Sequence, residues 1–383
     1  MALRVLHCPA NVGNHPFGLT RAERELGLES WCVDVGGSAF AFGADEVVRA
    51  STPLAFEAKR WRLLRRALRD YDVVHFNFGR SILPAPPPAL IGDAGSLWNV
   101  PGRLYARTLA LRDLPLLKRA GKTIAVTFQG DDVRQGSGPR AGGFHRRLAA
   151  LAGPAYYTPR GDARKRRTIA AWERYADLLY YVNPDLGAFL PRRARFVPYA
   201  HVDAREWPPA QNTRMPDVPT VVHAPSHRGI KGTRYLLDAV SRLQREGVAF
   251  DFRLVEGLPY AEARAVYAAA DVLVDQLFVG WYGGLAVEFM ALEKPVVCFV
   301  DEATASAYSP PELVRDLPLV RATHDDVYDV LRDVLTTRRD EYGDWSRKGR
   351  AFVERWHDPL VIAAGIGDDY LAAQDGHRPR SVR

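Results

Sequence analysis

Cysteine is scarce in this chain. The three present, Cys8, Cys32 and Cys298, are too few and too scattered for a disulfide framework or a metal cage. Cys8 and Cys298 sit in or beside apolar strand-like runs, so buried free thiols and a reducing, cytoplasmic setting are expected. Nowhere do about 18 apolar residues run together, which leaves no expected transmembrane helix. The opening residues MALRVLHCPANVGN enter a strand-like run without a basic leader and a long apolar core, so no signal peptide is expected. The GxxxxGK[ST] order of a P-loop is also missing. Net charge is +7, with the excess concentrated in residues 140–168 and continued at Arg192, Arg193 and Arg195. That run lacks the interleaved aromatics and glycines of an RNA-binding sheet, so nucleic acid is set aside as a partner. It remains suited to phosphate-bearing ligands or to peripheral contact with an anionic membrane face.

What the chain does contain is alternation. Its 383 residues, 47% hydrophobic and 25% charged, have room for two α/β domains. Strand-like tracts in the first half are Arg4–Cys8, Ser30–Val35, Asp72–Phe76, Thr123–Phe128, Leu178–Val182 and Arg195–Pro198. Several are continuously apolar, as strands covered on both faces should be. Thr20 and Glu23 have capping-box spacing for a short helix over Thr20–Leu26. Pro84 to Pro88 reads as a stiff polyproline connector, followed by a helical pattern from Leu104 to Ala120. A polar, proline-rich stretch, Trp207 to Pro216, is the best boundary, and alternation restarts after it. The expected fold is therefore α/β, with two doubly wound, Rossmann-like domains in succession. The first spans 1–206, a linker 207–216 and the second 217–356; a final helix covers 360–375, and 376–383 form a disordered tail.

In open α/β sheets ligands bind beyond the carboxyl ends of strands. Two motifs of the second half lie there. The first runs from His223 to Thr233 between a strand and a helix, and offers Ser226, Arg228 and Lys231 beside a helix start, a pattern suited to a diphosphate. The second runs from Asp271 to Pro295. Its loop Gly280-Trp281-Tyr282-Gly283-Gly284 lets backbone amides approach a ligand, and Glu288, one turn into the next helix, could accept hydrogen bonds from a ribose diol. In the first half, Gly13, Asn14, His75, Gln129 and Asp131 follow or end strands and are candidates for ligand contacts. Asp131-Asp132 lack a third ligand, so no metal site is read.

Taken in this order and separation, the motifs resemble the donor half of retaining glycosyltransferases of the family-four (group 1) type, whose GT-B fold implies two Rossmann-like domains facing each other across a cleft, with the final helix, 360–375, returning to the first. Glu288 matches the second glutamate of that family's pair, Trp281 to Leu285 its loop, and Lys294-Pro295-Val296-Val297 its strand entry. The likeness extends over nearly all of the chain through Val74–Gly79, Thr127–Asp132 and Val182–Asp185. Two positions depart from it: Gly280 stands where the first glutamate usually contacts the donor sugar, and Ser226 where an arginine is usual. What the resemblance implies is a cytoplasmic, metal-independent transferase without cofactor, moving a sugar with retention from a nucleoside-diphosphate donor to a small-molecule, glycan or lipid-linked acceptor. Lys231 and Arg228 would stabilise the leaving diphosphate. Glu288, Gly283, Gly284, Leu285, Tyr282, Ser226 and Gly13 would bind the donor, and Asn14, His75, Gln129 and Asp131 the acceptor or the transferred sugar. Two alternatives stay open: a related phosphorylase or epimerase on the same donor class, and a degenerate, non-catalytic scaffold, suggested by Gly280.

Overall fold

A computed structural model describes residues 2–38, 40–84, 100–209 and 214–377. Most of the expected polyproline connector and residues 378–383 of the expected tail lie outside them.

Along the chain run β1 (Arg4–Cys8), α1 (His15–Glu25), β2 (Glu29–Val35), β3 (Glu46–Val48), α2 (Pro53–Asp70), β4 (Val73–Asn77), α3 (Val100–Leu109), α4 (Asp113–Arg119) and β5 (Thr123–Phe128). Then come α5 (Gly143–Ala152), α6 (Pro159–Tyr175), β6 (Leu178–Tyr181) and β7 (Arg195–Phe196). The second half contributes β8 (Thr220–His223), α7 (Arg228–Lys231), α8 (Thr233–Arg245), β9 (Asp251–Leu254), α9 (Tyr260–Ala269), β10 (Val272–Val274), α10 (Gly284–Ala291) and β11 (Val296–Cys298). It ends with α11 (Glu302–Tyr308), α12 (Pro311–Arg315), β12 (Val320–Arg321), α13 (Val327–Leu335), α14 (Tyr342–Trp356) and α15 (Pro359–His377).

The chain divides into two compact units. Unit 1 comprises residues 1–138, 158–201 and 359–383; unit 2 comprises 139–157 and 202–358. Among the described residues, unit 1 has seven parallel strands ordered β3-β2-β1-β4-β5-β6-β7, and unit 2 has five ordered β12-β11-β10-β8-β9. Every pairing is parallel, so each strand is joined to the next by a crossover. Composition explains the ranking of strands. All residues of β4 and β5 are buried, as central strands require, whereas β9, at an edge, alternates exposed and half-buried positions.

Three sequence expectations change here. Residues 139–157, assigned to the first domain, belong to unit 2: Phe144 and Leu148 of α5 enter its apolar core beside Ile230 and Leu277. The basic run 140–168 is thereby split between units, and several of its cations serve internal partners, Lys165 on the Arg134 carbonyl (2.5 Å) and Arg166 on Gln135 (3.1 Å). Next, α1 starts at His15, so Thr20 is not a cap; its hydroxyl donates back to the Pro16 carbonyl at 2.8 Å, inside the helix. Lastly, the helical pattern from Leu104 to Ala120 is two helices, α3 and α4, broken where Leu111 takes a left-handed φ of 60°. Helix α15 packs on α1 within unit 1 and runs to His377, past the start of the expected tail.

Candidate active site

In unit 2 the strand order reverses direction between β8 and β10, and crevices of this kind, outside the carboxyl ends of parallel strands, are where such sheets hold ligands. The loops that leave these two strands carry both motifs. Buried His223, the last residue of β8, ties the strand ends together: its Nδ1–H donates to the Val274 carbonyl (2.7 Å), leaving Nε2 to accept from the Thr233 hydroxyl (2.8 Å). Burial drives its pKa down to about 4, so the ring stays neutral.

One turn further, α7 ends on Lys231, and Gly232 reverses the chain with φ +76° into α8. A Cβ there would lie 3.0 Å from that of Leu277, so both conformation and space demand glycine. Lys231 Nζ reaches across the switch point to Asp275 Oδ1 at 2.8 Å, while Asp275 Oδ2 accepts from the Gly283 N–H at 2.6 Å. A Cβ on Gly283 would stand 3.3 Å from both Lys231 Nζ and Asp275 Oδ2. Lys231, Asp275 and the start of α10 thus form one cluster, with Gly283, Gly284 and Leu285 half-exposed beside it. Around the Asp275 carboxylate it gathers an ammonium and backbone N–H groups at a helix N-terminus, the donors that an anionic oxygen requires.

The other expected residues are distributed differently. Arg228, at the head of α7, turns the opposite way from Lys231 and forms an exposed two-point pair with Glu256 in the loop after β9. The two cations of α7 are drawn to carboxylates following the two strands that flank β8. Ser226 is exposed. Glu288 is buried under α10 and accepts from the Tyr260 hydroxyl at 3.0 Å; Tyr260, the first residue of α9, is a neighbour that sequence reasoning missed. Tyr282, expected to face the donor, is fully buried and its hydroxyl lies 2.9 Å from His357 Nε2, fastening α10 to the end of α14. The correction has a simple cause: Leu277, Phe278, Val279, Trp281 and Tyr282 are core residues, so only the last part of that loop is open to a ligand.

Gly280 also gains an explanation. A Cβ at this position would lie 2.6 Å from that of Asp301 and 3.0 Å from Phe144 Cε2. No side chain fits, glutamate included, because the segment after β11 and helix α5 fill the space.

Unit 1 has its own switch point, between β1 and β4. Gly13 and Asn14 follow β1 with φ of 59° and 58°, and Phe78 and Gly79 follow β4 with φ of 58° and 57°. Asn14 Oδ1 accepts from Asn11 Nδ2 at 3.3 Å. After β5, Gln129 contacts Asn77 at 3.4 Å and Asp131 pairs with Arg134 at 3.2 Å. Asp132, next in line, accepts from the Gly130 amide at 2.7 Å, and burial pushes its pKa up to about 6 against that pull. Asn183, after β6, donates to the Gln129 carbonyl at 2.5 Å. These polar groups line the carboxyl edge, but His75 is not among them. Its ring is wholly buried, with Nδ1 on Tyr370 and Nε2 on Thr127, a structural role that removes it from the acceptor contacts.

Solved structures share this architecture. Over 98% of this chain and 100% of the other, it is similar to sucrose-phosphate synthase from Thermosynechococcus elongatus, with a TM-score of 0.62 and 13% identity. Over the same shares it is similar to the catalytic domain of starch synthase IV from Arabidopsis thaliana bound to ADP and acarbose, with a TM-score of 0.59 and 10% identity. The chain has the GT-B fold. A third GT-B neighbour is a putative UDP-N-acetylglucosamine 2-epimerase from Listeria monocytogenes, covering 100% of this chain and 98% of that one, at a TM-score of 0.51 and 11% identity. No protein-family model matches the sequence, and no curated protein matches it either. Among the described residues of this GT-B chain, no helix is long and apolar enough to cross a membrane, and no cluster of three His, Cys, Asp or Glu side chains could hold a metal ion.

Proposed function

We propose that this protein is a glycosyltransferase that moves a sugar from a nucleoside-diphosphate donor to an acceptor. The observation that carries the reading is the placement of Lys231 and the α10 N-terminus together at the switch point of unit 2. In this reading Lys231 and the amides of Gly283, Gly284 and Leu285 take the diphosphate, and Glu288, held by Tyr260, takes the ribose. Arg228 and Ser226 contribute from the exposed rim once Arg228 leaves Glu256. Gly13 stays assigned to the donor, and Asn14, Gln129 and Asp131 to acceptor or sugar, with Asp132 and Asn183 added to the latter.

The chemistry is a substitution at the anomeric carbon. The bond to the phosphate oxygen breaks, its electron pair leaves with the nucleoside diphosphate, and the acceptor oxygen bonds on the same face while its proton passes to the departing phosphate. Charge grows on that phosphate, so a fixed ammonium and helix N–H groups stabilise the transition state more than the ground state. Retention and independence of metal are part of the proposal; the anomeric configuration of the product and activity in a chelator test them. Peripheral membrane contact through residues 140–168 is a separate proposal, and failure to float with anionic vesicles removes it.

A thermal-shift screen of uridine, guanosine and adenosine diphosphates and their sugars tests the reading, since a ligand bound only by the folded state raises the midpoint. One of them should stabilise the wild type and have no effect on Lys231→Ala. The neighbouring epimerase supports a second reading, inversion of a sugar centre on the nucleotide itself. Conversion of a nucleotide sugar to its epimer with no acceptor present would favour it.

A further inference from the structure

The ion pair at the switch point has a consequence for ligand affinity, which rests on the reading just given. Asp275 follows β10 and is still held in the sheet, its N–H donating to the Val297 carbonyl at 2.9 Å. Its side chain is 2% exposed and both oxygens are engaged, one by the Lys231 ammonium and one by the Gly283 amide. These are the donors that a phosphate oxygen seeks: a cation and an N–H at the start of a helix. Lys231 is itself only 14% exposed, so its charge lies where solvent screens poorly and a fixed counter-charge matters.

We infer that Asp275 is a built-in counter-anion that occupies the diphosphate's donors before a ligand arrives and so limits how tightly a nucleoside diphosphate is held. Without it, a half-buried ammonium and a helix N-terminus would meet the diphosphate with a full net positive charge. With it, the incoming phosphates meet a neutral pair and must share Lys231. The site is left able to position a leaving diphosphate yet also to release it. Gly283 belongs to the same device, because any side chain there would push against the pair.

The test is titration calorimetry with the nucleoside diphosphate that best stabilises the wild type, and with inorganic pyrophosphate, on wild type, Asp275→Asn, Asp275→Ser and Lys231→Met. Serine removes the charge while keeping an acceptor for the Gly283 N–H. The expected result is tighter binding by both Asp275 variants, on the order of tenfold at low salt, with slower dissociation and a steeper loss of affinity as salt rises. Folded variants that bind equally or more weakly overturn the inference. If the variants are only marginally folded, pyrophosphate must raise their melting midpoints by more than the wild type's, and a smaller rise overturns it equally. Lys231→Met separates the two levels. If it leaves wild-type affinity intact, the proposed function fails; if it abolishes binding while the Asp275 variants bind no tighter, only the counter-anion does.

Discussion

The hydroxyl of Tyr370 lies 2.5 Å from Nδ1 of His75, joining residues 295 positions apart in the chain. The same hydroxyl donates to Glu23 Oε1 at 3.2 Å, and Glu23 Oε2 takes His7 Nε2 at 2.9 Å and the Ser30 hydroxyl at 2.5 Å. One buried polar network thus locks α15 against α1, β1 and β4 in unit 1. Burial, with His7 and His15 nearby, holds the His75 pKa well below the usual histidine range, so the ring enters the network neutral. Tyr370→Phe keeps the ring packing and deletes the shared hydroxyl. It should cost about 1–3 kcal/mol, the price of an unsatisfied buried group, read as a lower urea midpoint. An unchanged midpoint would show that the network does not hold the helix.

Acid should weaken the fold through His223. The unfolded chain takes up a proton at this residue near pH 6.5, whereas the folded one resists until about pH 4. Stability is therefore lost as pH falls between those values, by roughly 3 kcal/mol at most, and His75 adds a loss of the same sign. Asp132 works in the other direction: raised to about 6, it binds a proton in the folded state before the unfolded chain does, so its contribution grows as pH drops. Urea unfolding between pH 7 and 4.5 should show a flatter pH dependence for His223→Asn than for wild type. Parallel curves would remove His223 from the account.

Two glycines predict opposite outcomes. A Cβ on Gly18 would lie 2.3 Å from the Ala200 carbonyl oxygen and 2.5 Å from the Cα of His201, backbone that cannot yield cheaply. Gly18→Ala should cost several kcal/mol, roughly 3 or more, or abolish folding. Gly365, inside α15, has open space around the added atom, and Gly365→Ala should stabilise by up to about 1 kcal/mol through helix propensity. Denaturation midpoints of the two variants check both signs.

The thiols should be inert. Cys8, Cys32 and Cys298 are free and buried, and burial raises the pKa of each. A thiol reagent should titrate none of them in native buffer and all three in denaturant. Fast labelling of any one without unfolding would contradict the burial.

The apolar tracts of β1, β4, β5 and β8 could be read from the sequence because parallel strands covered on both faces need continuous Val, Ile, Leu and Phe. Helices α2 and α6 were missed although each is announced by a Thr-Pro pair: Thr52 and Thr158 cap the amides of Ala55 and Gly161, with proline in the first turn. The position of α5 in unit 2 was not legible, since nothing local says which core an amphipathic helix will enter. At the candidate site, the two motifs and their resemblance pointed to Lys231 and the Gly283–Leu285 turn, which the structure brings together around Asp275. They could not show that Tyr282 faces the core, that Arg228 turns away toward Glu256, or that Asp275 fills the gap between the two loops. Those depend on side-chain direction and on strand order: β8 lies between β9 and β10, an order fixed only when the sheet forms.

The central claim is that Lys231 binds a diphosphate at the unit 2 switch point. Calorimetric titration of wild type and Lys231→Ala with the best nucleoside diphosphate, in buffer containing a chelator, measures it most directly. The account predicts saturable one-to-one binding by the wild type and a loss of at least tenfold in the variant, about 1.4 kcal/mol. Equal affinity in the two proteins, with the variant folded, would contradict it.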